Sequence, residues 1–252
     1  MDNSDQKPQR LQKVLAAYGI ASRRSVEKLI DSRKIKVNGS LVEEQGIKVS
    51  LSDVIEVEGK KINLNNQQTK YYYLFNKPVG VITSVKDPRG RRTVLDYFKI
   101  DERVFPVGRL DYDTSGLLML TNDGEMTFRL THPSYGVEKT YRVWTEKEVP
   151  DLVLAKMKTG LILEDGKTSP AKVKRIREKN SDRDLYYIVE ISIHEGKNRQ
   201  VRRMFEKVGY PVIKLHRVSF GPLKLDSSFK LGEYRHLNNK EISLLKNELG
   251  LS

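Results

Sequence analysis

The stretch GRLDYDTSGL, residues 108–117, combines one central carboxylate with a turn-forming composition and an apolar continuation. Asp, Ser, Thr and Gly favour tight turns because short polar side chains hydrogen-bond to nearby backbone groups. The apolar residues 117–120 predict a buried strand, and residues 122–124, Asn-Asp-Gly, predict the turn that closes it. Asp111 is therefore expected on an irregular segment held by a rigid element, where catalytic side chains are often found. From the spacing alone, Asp111 is more often an ordinary turn residue than a catalytic one.

Composition favours a polyanionic partner. The 252 residues suffice for one large domain or two, and 46 Lys and Arg against 33 Asp and Glu leave a net charge of +13. Nucleic acid is the first expectation and an anionic membrane surface the second. No apolar run of about 18 residues predicts a membrane span, and the N-terminus lacks a secretory signal. We expect a cytoplasmic protein with no membrane partner.

The residue types present argue against cofactor chemistry. There is no cysteine, and the four histidines are scattered without the spacing of metal ligands. The glycine patterns of P-loops and dinucleotide folds are missing, as is a methyltransferase-type glycine loop. We therefore expect no metal and no cofactor, and chemistry carried out by side chains alone.

The N-terminal third predicts a small helical domain with short strands. Residues 1–9 are polar and predict a disordered tail, and residues 10–64 predict the domain. Ser22 is a predicted N-cap for the second of two helices, whose first turn presents Arg23 and Arg24. The alternating segment 34–37 and the turn-forming pair Asn38-Gly39 predict a hairpin, with further strands near 41–42, 47–49 and 54–57.

The remainder predicts a second domain of the α+β class. The polar, uncharged residues 65–70 predict a linker, and residues 71–252 predict the domain. Alternating segments predict strands, while the regular helix–strand alternation of a parallel sheet is missing, so a mixed, mostly antiparallel sheet with flanking helices is expected. The predicted strands are 71–75, 81–83, 139–145 and 187–193, with a turn at 77–80, and the predicted helices are 150–158, 199–208 and 240–248.

The helix predicted over 199–208 is amphipathic and basic. Its apolar positions repeat at helical spacing, which leaves Arg199, Arg202 and Arg203 on another side near the N-terminus, with Asn198 as predicted cap. Guanidinium groups and a helix N-terminus both attract phosphate or carboxylate. A solvated basic face is the alternative interpretation of this charge run.

The motifs together resemble one enzyme family. The hallmark G-R-L-D-x-x-[ST]-x-G-L of the pseudouridine synthases is matched at every fixed position by residues 108–117, and EGKNRQVRRMF (195–205) and KTY (139–141) are similar to two further motifs. Residues 10–11, 21–24 and 36–39 resemble an S4 RNA-binding domain, with Arg33 at a position where that family usually has glycine. The combination is most similar to the RsuA/RluB branch and, within it, the RluB subgroup.

The resemblance implies an activity and a set of roles. It implies that the protein converts a uridine within ribosomal RNA into pseudouridine after the base is flipped out, without a cofactor. The resemblance to the RluB subgroup implies large-subunit (23S) RNA as the substrate. Asp111 would be the nucleophile, Arg202 would pair with it, and Tyr141 would stack on the uracil. The implied substrate-binding residues are Arg109, Leu117, Arg199, Arg203 and Leu223, and the implied RNA-binding residues of the S4 domain are Arg10, Arg23, Arg24 and Lys36. A monomer is expected.

Other classes stay open at this point. A non-catalytic RNA-binding protein that assists ribosome assembly would use the same basic modules, and an S4-linked methyltransferase is disfavoured only by the missing glycine loop. The sequence does not choose between attack at C1′ and C6, between 16S and 23S RNA, or between free RNA and an assembly intermediate. Tyr141, Leu117 and Leu223 would equally suit a hydrophobic core.

Overall fold

The chain is described by a computed structural model that covers residues 7–64, 69–176 and 186–251. It divides into two compact units, Met1–Lys70 and Tyr71–Ser252. The predicted tail residues 1–6 and linker residues 65–68 lie outside the described residues. No helix in the three described ranges is long and apolar enough to cross a membrane.

The first unit is a helix pair packed on short strands. Its elements are β1 (Gln9–Arg10), α1 (Leu11–Ala17), α2 (Arg23–Asp31), β2 (Ile35–Val37), β3 (Ser40–Leu41), β4 (Lys48–Val49), β5 (Ile55–Val57) and β6 (Lys60–Ile62). The strands form a sheet of order β3-β2-β5-β6 and a separate pair, β1 with β4. Gln9 pairs with Val49, so the prediction that the disordered tail extends to residue 9 is wrong for that residue.

Local sequence explains the geometry of this unit. The Ser22 side chain accepts a hydrogen bond from the Ser25 backbone, which confirms it as the N-cap of α2. Arg33, which stands where glycine is usual, adopts the left-handed conformation with a φ of 56°. Asn38 and Gly39 also have positive φ angles, 51° and 83°, as a two-residue hairpin turn of this kind requires.

The second unit is built on one large sheet. Its strands are β7 (Tyr72–Lys77), β8 (Phe105–Pro106), β9 (Thr114–Thr121), β10 (Lys139–Thr145), β11 (Ile162–Leu163), β12 (Gly166–Lys167), β13 (Lys172–Ile176), β14 (Tyr187–Ile193), β15 (Val212–Phe220), β16 (Leu223–Lys224) and β17 (Tyr234–His236). Its helices are α3 (Gly124–Thr131), α4 (Asp151–Lys158), α5 (Gln200–Lys207) and α6 (Asn239–Leu249). Short 3-10 helices occupy Val94–Tyr97 and Pro133–Tyr135.

The sheet is mixed and mostly antiparallel, which confirms the predicted α+β class. Its order is β13-β14-β10-β15-β9-β7-β17, with β16 on β15 and β8 on β9, and among the described strands only β9 and β15 pair in parallel. Along β9, Leu117 and Met119 pack with α3 and α6, whereas Leu118 and Leu120 face the opposite core cluster. The strand is buried over its whole length, because helices and loops cover both of its faces.

Four local predictions of secondary structure in this unit are wrong. Thr114, Ser115 and Gly116, predicted as a turn, begin β9, because pairing with β7 and β15 satisfies their backbone groups. The predicted turn at residues 122–124 instead starts α3, with the Asp123 carboxylate as its N-cap. The strand predicted over residues 81–83 is reduced to a single bridge between Ile82 and Thr93. Lys77, placed in a predicted turn, is the last residue of β7.

Candidate active site

The loop that carries Asp111 is tied to the sheet at both ends. Before it, the Val107 backbone N–H donates to the carbonyl oxygen of Met119 on β9 (2.8 Å), and after it the Thr114 N–H donates to the Asp111 carbonyl (3.1 Å). Between these two points, Thr83 holds Leu110, the residue before Asp111. Its hydroxyl donates to the Leu110 carbonyl (2.7 Å) and accepts from the Leu110 N–H (3.2 Å). The backbone next to Asp111 is therefore ordered.

A buried lysine supports the loop. The side chain of Lys77 is fully buried, and its Nζ donates to the carbonyl oxygens of Pro78 (3.0 Å), Asp111 (3.1 Å) and Thr114 (2.9 Å). Three acceptors match the three donors of an ammonium group. Burial lowers the pKa of Lys77 to about 8, opposed by the nearby negative charges of Asp111 and Asp113. At neutral pH the group is still mostly protonated and links both sides of the loop.

The Asp111 carboxylate is half-buried and unpaired. Among the described residues no side chain or backbone N–H hydrogen-bonds to it or forms an ion pair with it. The neighbouring Arg109 is exposed, and it too has no ion-pair partner within the described ranges. A carboxylate without an internal partner, on a rigid loop, is free to react with a ligand.

The predicted pairing of Arg202 with Asp111 is wrong in this structure. The Nη2 of Arg202 donates to the Asp113 carbonyl (2.7 Å), and its Nη1 donates to the Val212 carbonyl (3.2 Å). Its Nε lies 3.2 Å from Oδ2 of Asp113 without hydrogen-bond geometry. Asp111 acts on Arg202 only through longer-range attraction. Asp113 takes the closer position because it lies directly before β9, beside β15 and α5.

Arg199 completes this ion-pair group. It makes two parallel hydrogen bonds of 2.9 Å to the Asp113 carboxylate. The Arg199 guanidinium and the charge of Arg202 hold the pKa of Asp113 below its ordinary value. Burial lowers the pKa of Arg202, and the Asp113 charge partly offsets that effect. A carboxylate two residues after Asp111 thus anchors both arginines beside the loop.

The N-terminus of α5 differs from the prediction. Arg199 itself occupies the N-cap position, with a left-handed φ of 47° and no side-chain cap, so the prediction of Asn198 as the cap is wrong. Gln200 accepts a hydrogen bond from the Lys197 backbone instead (3.0 Å). Arg203 forms two 2.9 Å hydrogen bonds with Asp165, in the turn between β11 and β12. Arg199 and Arg203, both predicted to bind substrate, are therefore paired with carboxylates here.

The predicted residues Tyr141, Leu117 and Leu223 occupy different environments. Tyr141 is half-buried on β10 and packs against the core cluster that contains Leu110, next to Asp111 in sequence. Leu117 and Leu223 are buried in the cluster beneath α3 and α6, with exposed fractions of 0% and 2%. The structure brings Tyr141 towards the Asp111 loop and places both leucines in the core of the opposite face.

Three buried polar residues of the site are not among the site residues predicted from the sequence. The sequence predicts Lys77 in a turn and Thr83 in a strand. Their contacts with the Asp111 loop join residues 34 and 27 positions apart, which no local pattern indicates. Arg217 is 3% exposed, and its Nε donates to the Leu117 carbonyl (2.7 Å) while its guanidinium lies over the Phe220 ring. The position of Arg217 two residues after the buried Leu215, on the same side of β15, is the signal that could have indicated it.

The basic residues predicted for RNA contact in the first unit are exposed, namely Arg10, Arg23, Arg24 and Lys36. In the second unit the loop 86–92 carries four further exposed basic residues, Lys86, Arg89, Arg91 and Arg92. Arg91 pairs with Asp87 at 2.8 Å. Within the described ranges, no group of three or more His, Asp or Glu side chains could hold a metal ion.

Comparison with known proteins identifies the class of protein. Residues 71–207 match the family described as RNA pseudouridylate synthase, and residues 9–55 match the S4 domain. The chain belongs to the RNA pseudouridylate synthase family and, as a member, is an isomerase. The Asp111 loop, α5 and Tyr141 all lie within the matched region.

Relatives extend the similarity over nearly the whole chain. The chain is 47% identical over 239 residues to "Ribosomal large subunit pseudouridine synthase B" of Bacillus subtilis (strain 168), covering 94% of this chain and 96% of that protein. It is 41% identical over 245 residues to "Uncharacterized RNA pseudouridine synthase" of Aquifex aeolicus (strain VF5), covering 96% and 95%. A solved structure titled "Crystal structure of pseudouridylate synthase" has a TM-score of 0.67 and 34% identity, covering 94% of this chain and 99% of that one.

Proposed function

We propose that this protein converts a specific uridine of large-subunit (23S) ribosomal RNA into pseudouridine. The name of the Bacillus subtilis relative supports this substrate, since the similarity spans both units of the chain. The observation that carries the catalytic part is the unpaired Asp111 carboxylate on a loop held by Lys77 and Thr83. We further propose a monomer that acts in the cytoplasm.

The reaction needs one nucleophile and no change of oxidation state. The Asp111 carboxylate attacks the ribose at C1′ or the uracil at C6, and the N-glycosidic bond breaks. The uracil turns and its C5 bonds to C1′, while the bond between Asp111 and the substrate breaks and restores the free carboxylate. The proton at C5 leaves, and the ring nitrogen that has left the sugar takes up one proton, directly or through solvent. Atoms and electrons balance within the substrate, so we propose that side chains alone catalyse the reaction without a cofactor.

Asp113 and the two arginines serve as the support of the nucleophile. Arg202 contacts Asp113 through both its carbonyl and its carboxylate, which fixes the chain two residues after Asp111. The positive charge of Arg202 lies behind the loop and attracts the Asp111 carboxylate over a longer distance. Tyr141, half-buried against the cluster that includes Leu110, provides the ring on which the uracil stacks.

RNA contacts supply the energy for flipping the target base out of its stack. That step costs a few kcal/mol, which contacts elsewhere on the RNA must provide. In the catalytic unit, Arg109 and the basic loop 86–92 are exposed for phosphate contacts. Arg199 and Arg203 can exchange Asp113 and Asp165 for phosphates, because guanidinium groups bind both bidentately. The S4 residues Arg10, Arg23, Arg24 and Lys36 bind a second RNA segment.

The proposal is tested with purified protein and ribosomal RNA transcribed in vitro. Wild-type protein is expected to produce a carbodiimide-dependent reverse-transcription stop at one uridine of 23S RNA. Asp111→Asn is expected to abolish the stop while RNA affinity stays within about twofold. Asp101→Asn, at an exposed aspartate ten residues earlier, is the matched control and should retain activity.

Two results would contradict the proposal. Normal modification by Asp111→Asn would show that another group is the nucleophile. Wild-type protein that binds the RNA without producing any pseudouridine, in free RNA or in assembly intermediates, would favour a non-catalytic ribosome-assembly factor. Comparison of RNA from cells with and without the gene identifies the natural position.

A further inference from the structure

Three aromatic side chains form an exposed cluster where α3 ends. Phe128, His132 and Tyr135, here called the aromatic patch, have ring centres 4.9 Å apart for Phe128 and His132 and 6.0 Å apart for Phe128 and Tyr135. Phe128 is 49% exposed and Tyr135 41%, and every residue from 131 to 136 is exposed. Single exposed apolar residues are ordinary, but a contiguous apolar group indicates a binding surface.

The patch is ordered by contacts beneath it. The guanidinium of Arg129 lies 5.8 Å from the centre of the Tyr135 ring, and its Nη1 donates to the carbonyls of Leu249 and Gly250 at the end of α6, both at 2.8 Å. The Nδ1 of His132 hydrogen-bonds to the Ser134 hydroxyl at 2.7 Å. Rings held in place lose little conformational entropy when a ligand stacks on them.

The topology puts the patch beside the Asp111 loop. α3 follows β9 and packs back against it, since Met126 and Leu130 share a core cluster with Leu117. The last residue of α3 lies beside the start of the Asp111 loop, since a Cβ built on Gly108 would lie 3.5 Å from Cγ2 of Thr131. From the patch the chain continues through Gly136 directly into β10, the strand that carries Tyr141.

We propose that the aromatic patch stacks an unpaired base of the substrate RNA adjacent to the target uridine. The inference rests on the proposed function and extends it to a second base. Aromatic faces next to cations that contact the RNA backbone are the composition of single-stranded RNA sites. Here the exposed Arg109 adjoins Gly108, where an added Cβ would touch Thr131 at the end of α3, so the cation and the rings can engage one strand.

The test separates stacking from charge. Dissociation constants for 23S RNA transcript are measured by filter binding over a range of KCl concentrations for wild type, Phe128→Ala and Tyr135→Ala. Removal of either ring is expected to weaken binding by about tenfold, with the slope of log affinity against log salt unchanged, because stacking releases no counterions. Phe128→Tyr and Tyr135→Phe keep the rings and should restore binding. Leu152→Ala, at an exposed apolar residue of α4, is the control and should bind like wild type.

The outcomes distinguish this inference from the proposed function. Unchanged affinity in both alanine variants, with normal wild-type modification, would overturn the aromatic patch alone. Loss of activity on ribosomal particles with full affinity for naked RNA would assign the patch to a protein partner and also overturn the inference. A wild-type protein that binds RNA without modifying it contradicts the proposed function instead. Thermal unfolding of each variant identifies any loss of affinity that comes from misfolding. If an alanine variant is misfolded, the ring-retaining variant at that position tests the inference instead, and weakened binding by a folded ring-retaining variant would contradict it.

Discussion

The Nζ of Lys77, at the end of β7, hydrogen-bonds to the carbonyl oxygen of Asp111, 34 residues later in the chain. Burial lowers the pKa of Lys77 to about 8 from 10.5. Between these values the unfolded chain binds more protons than the folded one, so Lys77 makes the free energy of unfolding rise with pH by up to about 1.4 kcal/mol per unit. Below pH 8 both states are protonated and this dependence disappears.

The comparison of Lys77→Met with wild type tests that relationship. Urea unfolding is measured from pH 7 to 10. Above pH 8 the free energy of unfolding should rise less with pH for Lys77→Met than for wild type, and below pH 8 the two curves should be parallel. Lys240→Met, at an exposed lysine of α6, should follow wild type throughout. Identical curves for Lys77→Met and wild type above pH 8 would contradict the lowered pKa.

Thr83→Val should lower the rate of modification more than RNA affinity. The substitution keeps the shape but removes the hydroxyl that bonds both backbone groups of Leu110, and an unsatisfied buried polar group costs about 1–3 kcal/mol. The loop before Asp111 then loses its fixed geometry. Single-turnover kinetics measures the effect, and Thr159→Val, which removes an exposed hydroxyl from the end of α4, is the control. A rate equal to that of wild type would argue against this role.

Arg202→Lys should reduce the single-turnover rate by about 100-fold, a loss typical of a catalytic group displaced by about 1 Å. Lysine has one ammonium group and cannot contact both the Asp113 and Val212 carbonyls in the geometry that the guanidinium uses. RNA affinity should change little. Arg175→Lys is the matched control, because Arg175 on β13 also binds a backbone carbonyl and carboxylates, those of residues at the start of α4. Similar rates for both variants would show that Arg202 does not support the Asp111 loop.

Gly116→Ala should destabilise the catalytic unit by about 3 kcal/mol or more, since the new methyl group would overlap a backbone that cannot move freely. Gly116 has a φ of 112°, and its Cβ would lie 2.3 Å from the carbonyl oxygen and 2.5 Å from the nitrogen of Arg217. Gly124→Ala, in the first turn of α3 with nothing within 4 Å, should be neutral or stabilising. Thermal unfolding compares the two, and equal midpoints would be inconsistent with the close approach of β9 and β15.

Replacing Arg23 and Arg24 together by alanine should weaken RNA binding and lower its salt dependence. Removing one arginine–phosphate interaction reduces the slope of log affinity against log salt by about 0.7 to 0.9. Both residues are exposed in the first turn of α2. Lys60→Ala with Lys61→Ala removes the same charge from β6 and should leave the slope closer to that of wild type. Equal effects of the two double variants would indicate general charge attraction rather than a site on α2.

The sequence determined the elements that depend on local chemistry. Periodicity predicted β10, β14, α4, α5 and α6 close to their observed bounds. Ser22 was identified as a cap and Asn38-Gly39 as a turn because each acts within a few residues. The same logic placed Asp111 on a loop before a buried strand, and the motifs indicated the family.

Only the tertiary structure decided what surrounds Asp111. Thr114, Ser115 and Gly116 prefer turns locally, yet pairing with β15 and β7 makes them strand. Arg202 bonds to Asp113 instead of Asp111, and Lys77 supports the loop from another strand, because these contacts depend on which strands become neighbours. Local preference acts over a few residues, whereas the ion pairs and buried hydrogen bonds of the site join segments up to 100 positions apart. Such partners are set by the order of strands in the sheet, which no local pattern contains.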